Sequence, residues 1–280
     1  PDGNAGIEKA FKKRFPGIDI RIVTDLSKYH DTRIDQQLAR GRLECDVAHL
    51  QTMHDYDRWK NEGVLEPHFP RGWSKVYPEF KDQDGAFTAI KVFSFSNIVG
   101  SSVPESETPT DALDYLDPRF KGKLVMTYPH DDDAVLFQFD RIVGKYGWEY
   151  VDRLMRQDVQ WIRGTVPAKR IVQSGAKAAT FTAAGSLAPE PGVRFVIPRE
   201  DTFLVWPQMA AIFKASANKE AARLYISWML DPDAILAMPY QWVVRRDVEN
   251  PAGYNPVFSY YTDASAFLRF LSSRALIARL

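Results

Sequence analysis

The sequence predicts an α/β protein of two lobes, one inserted into the other. Three observations carry this expectation. The chain has 280 residues, more than one small core needs and comfortable for two ordinary domains. Helix-like and strand-like periodicities alternate along it. A polar, turn-rich run at residues 101–111, SSVPESETPTD, interrupts that rhythm, and a second α/β series follows.

The elements follow in order. Residues 1–6 read as a loop, and a signal segment and a first strand are expected upstream of them. Ile7, Ala10, Phe11 and Phe15 recur at helical spacing until Pro16 and Gly17 stop the helix. Ile18, Ile20 and Ile22 alternate with Asp19 and Arg21, which predicts a strand. Asp31 is placed to cap a helix through Ile34 and Leu38. Residues 45–50 form a short buried strand, followed by a loop and a helix through Trp59. This rhythm points to a parallel sheet. Residues 88–99 are a long apolar strand. In the second series, strands are predicted at 124–127, 159–162, 178–182, 195–197 and 203–206, with helices at 131–143, 148–156 and 167–174. An amphipathic helix at 219–230 and a helical tail from Ala264 close the chain. Two crossing segments, near 92–98 and 203–210, join the lobes. Residues 1–95 with 207–280 are assigned to the first lobe and 96–206 to the second.

Composition excludes several classes. Thirty-six basic residues balance thirty-six acidic ones, so no basic field exists to meet nucleic-acid phosphates. The lone Cys45 makes no internal disulfide and no CxxC site. No run of about 20 apolar residues occurs, so no membrane insertion is expected. HExxH, GxSxG and P-loop signatures are absent, and no enzyme activity or cofactor is expected.

Candidate binding residues cluster where strands run into helices. Gln51, Thr52, His54 and Asp55 follow the 45–50 strand, and offer neutral and titratable hydrogen bonds. Thr52 and Asp55 equally suit a helix cap. Tyr128, His130, Asp131, Asp132 and Asp133 lie between a strand and a helix. The carboxylates suit a metal or an ammonium group, with Tyr128 stacking on the ligand; they also suit a first helical turn. Thr165 is placed as an N-cap, with Pro167 in the first turn, where free N–H groups suit an anion. Thr182 lies on a strand with Thr180, and Trp206 and Gln208 lie at the second crossing, where Trp206 equally suits a core.

Several segments, in this order, resemble family 1 extracellular solute-binding proteins of the ferric-iron, thiamine and phosphonate receptor type. They are DVAHLQTMHDYDRWKNEGVLEP, YPEFKDQDGAFTAI, TPTDALDYLDPRFKGKLVMTYP, YGWEYVDRL, GTVPAKRIVQSG and NKEAARLYISWMLDPDA. The resemblance covers nearly the whole chain. It implies a bilobal type II periplasmic-binding-protein fold, two α/β lobes that close on a small polar ligand. It also implies periplasmic or secreted localisation, an ABC permease as partner in a bacterial setting, and a monomer. Ferric receptors of the family carry adjacent tyrosines where this chain reads ATFTAAGSL, so phenolate binding of iron is not expected. Tyr260 and Tyr261 are adjacent but lie elsewhere. Three alternatives remain open: a metal receptor using carboxylates and histidine, an enzyme on the same fold, and a secreted binding protein that serves no transporter.

Overall fold

The computed structural model describes residues 2–25, 27–238, 240–262 and 264–273. In chain order the first elements are α1 (Asp2–Arg14), α2 (Ser27–Ala39), β1 (Val47–Leu50), α3 (Met53–Asn61), β2 (Leu65–Glu66) and β3 (Thr88–Gly100). Then come β4 (Val125–Thr127), α4 (Asp133–Tyr146), α5 (Trp148–Met155), β5 (Gln160–Ile162), α6 (Thr165–Gln173), β6 (Ala179–Ala184) and β7 (Val193–Val196). The last are β8 (Leu204–Phe213), α7 (Lys219–Met229), α8 (Pro232–Leu236) and α9 (Ala264–Ser272). The chain divides into two compact units, Pro1–Ile90 with Pro207–Ile235, and Lys91–Trp206 with Leu236–Leu280.

In the first unit, β1 and β2 both pair antiparallel with β8. Among the described residues of this unit, the parallel sheet predicted from the helix–strand rhythm is not formed. The strand that β1 needs comes from far down the chain, and local periodicity carries no sign of it. Tyr56 fixes α3 to this ladder. Its hydroxyl accepts from the Leu50 N–H at 2.8 Å and donates to the Met209 carbonyl at 2.7 Å. The ring is fully buried and packs edge-on against Trp59, which packs in turn against Phe213. α1 lays Phe11 against Tyr225 and Trp228 of α7.

Three local expectations fail in this unit. The helix α1 already begins at Asp2, inside the predicted loop. Residues 18–22 form no strand, because they have no ladder partner among the described residues; the Ile22 N–H goes to the Glu8 carboxylate at 3.3 Å. Asp31 lies inside α2 rather than capping it, since the helix starts at Ser27.

In the second unit β3 is flanked by antiparallel β6 and β7, while β4 and β5 run parallel. An apolar cluster of Ile98, Val125, Ala168, Val172, Ala183 and Val193 holds α6 to the strands. The sequence expectation puts residues 207–280 in the first lobe, but the described part of the segment after Leu236 packs in this unit. Trp242 exchanges two backbone hydrogen bonds with Val92, and its indole N–H donates to Ser94 at 3.0 Å. Phe267 and Phe270 of α9 lie 5.2 and 5.1 Å from the Phe137 ring.

The Tyr56 clamp gives a direct test. Tyr56→Phe keeps the ring but strands a buried N–H and a buried carbonyl, at a cost of roughly 2–4 kcal/mol. Urea unfolding should show a lower midpoint with an unchanged slope. An unchanged midpoint would show that the hydroxyl does not hold α3 in place.

Candidate functional site

The first unit gathers polar groups where β1 runs into α3. The register places Met209 opposite Leu50, so Gln208 of β8 lies at the carboxyl end of β1. Gln208 donates through Nε2 to the His49 carbonyl at 3.1 Å, and its Oε1 is buried with no protein partner. Thr52 stands at the N-cap of α3 but makes no side-chain cap bond, and its Oγ1 is likewise buried without a protein partner. Asp55, in the first turn, is 4% exposed. Its Oδ1 accepts from Arg58 at 2.8 Å, and its carboxylate is hydrogen-bonded to the carboxyl of Asp31. Orphaned buried oxygens are rare in native proteins, and each one calls for a cause.

Charge around Asp55 is tightly organised. Arg58 is clamped by both oxygens of Asp35, at 3.0 and 2.8 Å, and the Trp59 indole N–H also donates to Asp35 at 2.8 Å. His54 Nε2 is 3.8 Å from Asp55 Oδ1. Burial raises the Asp31 carboxyl above the usual carboxylate range, and the negative charge of Asp55 raises it further. The Gln51 backbone N–H donates to Ser27 Oγ at 3.1 Å. Five expected residues, Gln51, Thr52, His54, Asp55 and Gln208, thus lie at one strand end. Asp31 was read from the sequence only as a cap, and nothing local announces its approach to Asp55.

In the second unit the acidic run resolves into separate tasks. Asp131 accepts from the Gly164 N–H at 2.7 Å and from Arg163 at 3.0 Å, tying the turn after β4 to the start of α6. Asp132 is the N-cap of α4, accepting from Ala134 and Val135. Asp133 is exposed in the first turn. Tyr128 is 38% exposed and stacks on Trp161 at 5.9 Å, with exposed His130 at 5.3 Å from its ring. Trp161 is an aromatic wall that the sequence reading missed.

Other expected roles change here. Thr165 is the first residue of α6, not its cap; that place belongs to Gly164, whose φ of 79° suits glycine. Pro167 offers no N–H. Thr182 is fully buried; its Oγ1 accepts from the Thr127 N–H at 2.8 Å and shares a hydrogen bond with Thr180 at 3.0 Å. Trp206 is core: it stacks on Phe93 and packs edge-on against Phe95 and Phe267. These two side chains are engaged inside the protein rather than presented to a ligand.

Among the described residues no group of three or more His, Cys, Asp or Glu side chains is gathered to hold a metal ion. The strand β6, where ferric receptors have tyrosines, is ATFTAA and buried along nearly its whole length. The Cys45 thiol is pushed up to about 11 by burial and then by Asp46, which opposes a nucleophilic thiolate. No helix among the described residues is long and apolar enough to cross a membrane.

Comparison with solved structures assigns the fold. Iron-bound HitA from Pseudomonas aeruginosa shares 18% identity at a TM-score of 0.70, covering 97% of this chain and 95% of that one. The periplasmic binding protein AfuA from Actinobacillus pleuropneumoniae, with fructose-6-phosphate bound, shares 14% at 0.73, over 98% and 92%. The substrate-binding protein of an ABC transporter from Agrobacterium tumefaciens shares 16% at 0.72, over 99% and 91%. The fold is therefore the α/β type II periplasmic-binding-protein fold, matched across nearly the full chain. The model of the bacterial extracellular solute-binding protein family matches residues 51–265, and the chain belongs to that family. The family resemblance read from the sequence motifs is borne out. A search of the curated proteins finds no match to this chain.

The Asp132 cap is testable by pH. Asp132→Ala should cost about 1 kcal/mol through loss of the cap. Asp132→Asn keeps an accepting oxygen without a charge. Burial raises the folded-state carboxyl of Asp132 above its ordinary range. Its stabilising contribution is thus full below the ordinary value and is lost as pH rises through the raised one. Thermal unfolding should show the wild type losing ground to Asp132→Asn as pH rises from the ordinary carboxylate range, and a pH-independent difference would refute this.

Proposed function

We propose that this chain is a non-enzymatic receptor that captures a small, hydrogen-bond-donating solute outside the cytoplasm and hands it to an ABC-type importer. Family membership supports the general role. One observation supports the donor-rich character: Thr52 Oγ1 and Gln208 Oε1 are buried oxygens without protein partners around one strand end, beside the buried Asp55 carboxylate. A carboxylate and an amide oxygen only accept, so a matching solute supplies N–H or O–H groups. Ammonium compounds and polyhydroxylated molecules fit this requirement. Tyr128 on Trp161 is an aromatic surface of the kind that stacks on a cation or an apolar ring face.

The start of α6 offers an anionic solute fewer donors than a bare helix N-terminus. Asp131 already occupies the Gly164 N–H, and Pro167 contributes none. The relatives described with iron or a sugar phosphate therefore do not set the cargo here. Closure of two lobes on the solute belongs to the same proposal; small-angle scattering should show a smaller radius of gyration when solute saturates the protein.

The central test is a thermal-shift and calorimetric screen of amines, amino acids, polyols, sugar phosphates and ferric ion against the purified chain. An amine or polyol should stabilise it by roughly 2.7 kcal/mol at a hundredfold excess over Kd. A response confined to ferric ion or to phosphates would overturn the reading. Thr52→Val then separates site from scaffold. Removing an unpartnered buried hydroxyl should leave the free protein as stable or up to about 1 kcal/mol more stable, while weakening solute binding about tenfold. Equal solute affinity in the variant would remove Thr52 from the site.

A further inference from the structure

The second unit contains a cavity of about 530 Å³ that none of the expected site residues lines. That volume is within the range of small-molecule pockets. Its walls come from the later turns of α4, the chain before β8 and the segment leading into α9. Asp132 and the Tyr128 surface lie at the opposite, N-terminal end of α4.

The apolar part of the lining is aromatic and aliphatic, with Phe137, Ile142, Phe181 and Phe203. Most of its polar groups are already engaged. Asp201 accepts from Lys145, from the Tyr146 hydroxyl at 2.6 Å and from the Ala112 N–H at 2.7 Å. Asp111 accepts from the Glu200 and Asp201 N–H groups, each at 2.9 Å. Two lining groups differ. Gln138 Oε1 is buried and has no protein partner. Arg141 enters no ion pair among the described residues; its guanidinium lies 6.0 Å from the Phe137 ring centre. Glu200 is exposed at the rim.

We infer that this cavity is a second binding site, for a small organic monocarboxylate with an apolar body and a hydroxyl or amino donor. Arg141 takes the carboxylate, as its planar fork favours. The apolar body lies against the phenylalanines, and the donor satisfies Gln138. A neutral analogue leaves Arg141 unmatched, and the second charge of a dianion finds no unpaired cation among the described lining residues, since Lys145 is held by Asp201.

The test uses the full chain with 3-phenyllactate as probe, and its neutral amide as control, followed by calorimetry and by ligand-observed NMR. The acid should bind, and the amide should bind at least tenfold more weakly. Arg141→Met, a change at an exposed position, should lower affinity for the acid at least tenfold without moving the thermal midpoint of the free protein. Gln138→Leu should weaken 3-phenyllactate more than 3-phenylpropionate, which lacks the hydroxyl. Thr52→Val should leave acid binding unchanged, so this site stands or falls apart from the solute reading. No binding of the acid, or equal binding by Arg141→Met, overturns the proposal.

Discussion

The first unit depends on one antiparallel ladder, β1 against the far end of β8. Its partners are distant in the chain: Tyr56 and Met209 are 153 residues apart, and His49 and Gln208 159 apart. Closing so long a loop carries an entropic cost that grows only slowly with length. The return is a buried polar clamp. The Tyr56 hydroxyl satisfies a strand N–H and a strand carbonyl at once, which fixes the start of α3 against the strand end. The same register brings Gln208 beside the loop that carries Thr52 and Asp55. The chemistry at that loop is therefore a product of the ladder, not of the loop alone.

The polar groups of the two units sort into engaged and unengaged. Asp35, Asp131, Asp132, Thr182 and Asp201 have their acceptors filled by neighbouring donors. They position elements. Thr52, Gln138 and Gln208 each retain an oxygen with no protein partner. An unmet buried acceptor costs about 1–3 kcal/mol. Two such atoms around one strand end add up to a cost comparable with a sizeable part of a domain's net stability. A scaffold that carries such a cost gains from it only when a donor arrives.

Much of the fold was legible in the sequence because it is written in local patterns. The helices around Phe11, Trp59 and Tyr225 and the strands at 88–100 follow from apolar spacing. What escaped depends on partners. The alternation Ile18–Asp19–Ile20–Arg21–Ile22 is strand-like, yet no strand lies beside it among the described residues. The antiparallel sense of β1 was hidden because β8 is so distant. The strand-end loops at Gln51–Asp55 and at 128–133 were legible from topology together with the family motif in the first and the run of carboxylates in the second. Which residues in them are uncommitted could not be read, since a threonine in sequence looks the same whether its hydroxyl is unmatched, as in Thr52, or bonded, as in Thr182.

The charge balance at the start of α6 follows from magnitudes. A helix N-terminus favours an anion by about 0.3–1 kcal/mol, and up to about 2 in a partly buried site. A carboxylate about 4 Å from a second anion opposes it by about 4 kcal/mol at an effective dielectric of 20. Asp131 holds its carboxylate on the Gly164 N–H, at the start of that helix, and on Arg163, so its charge is already paired. The pairing offsets most of that repulsion, and an incoming anion competes with Asp131 for donors the chain already uses. Displacing it would break the bond that ties the β4 turn to α6.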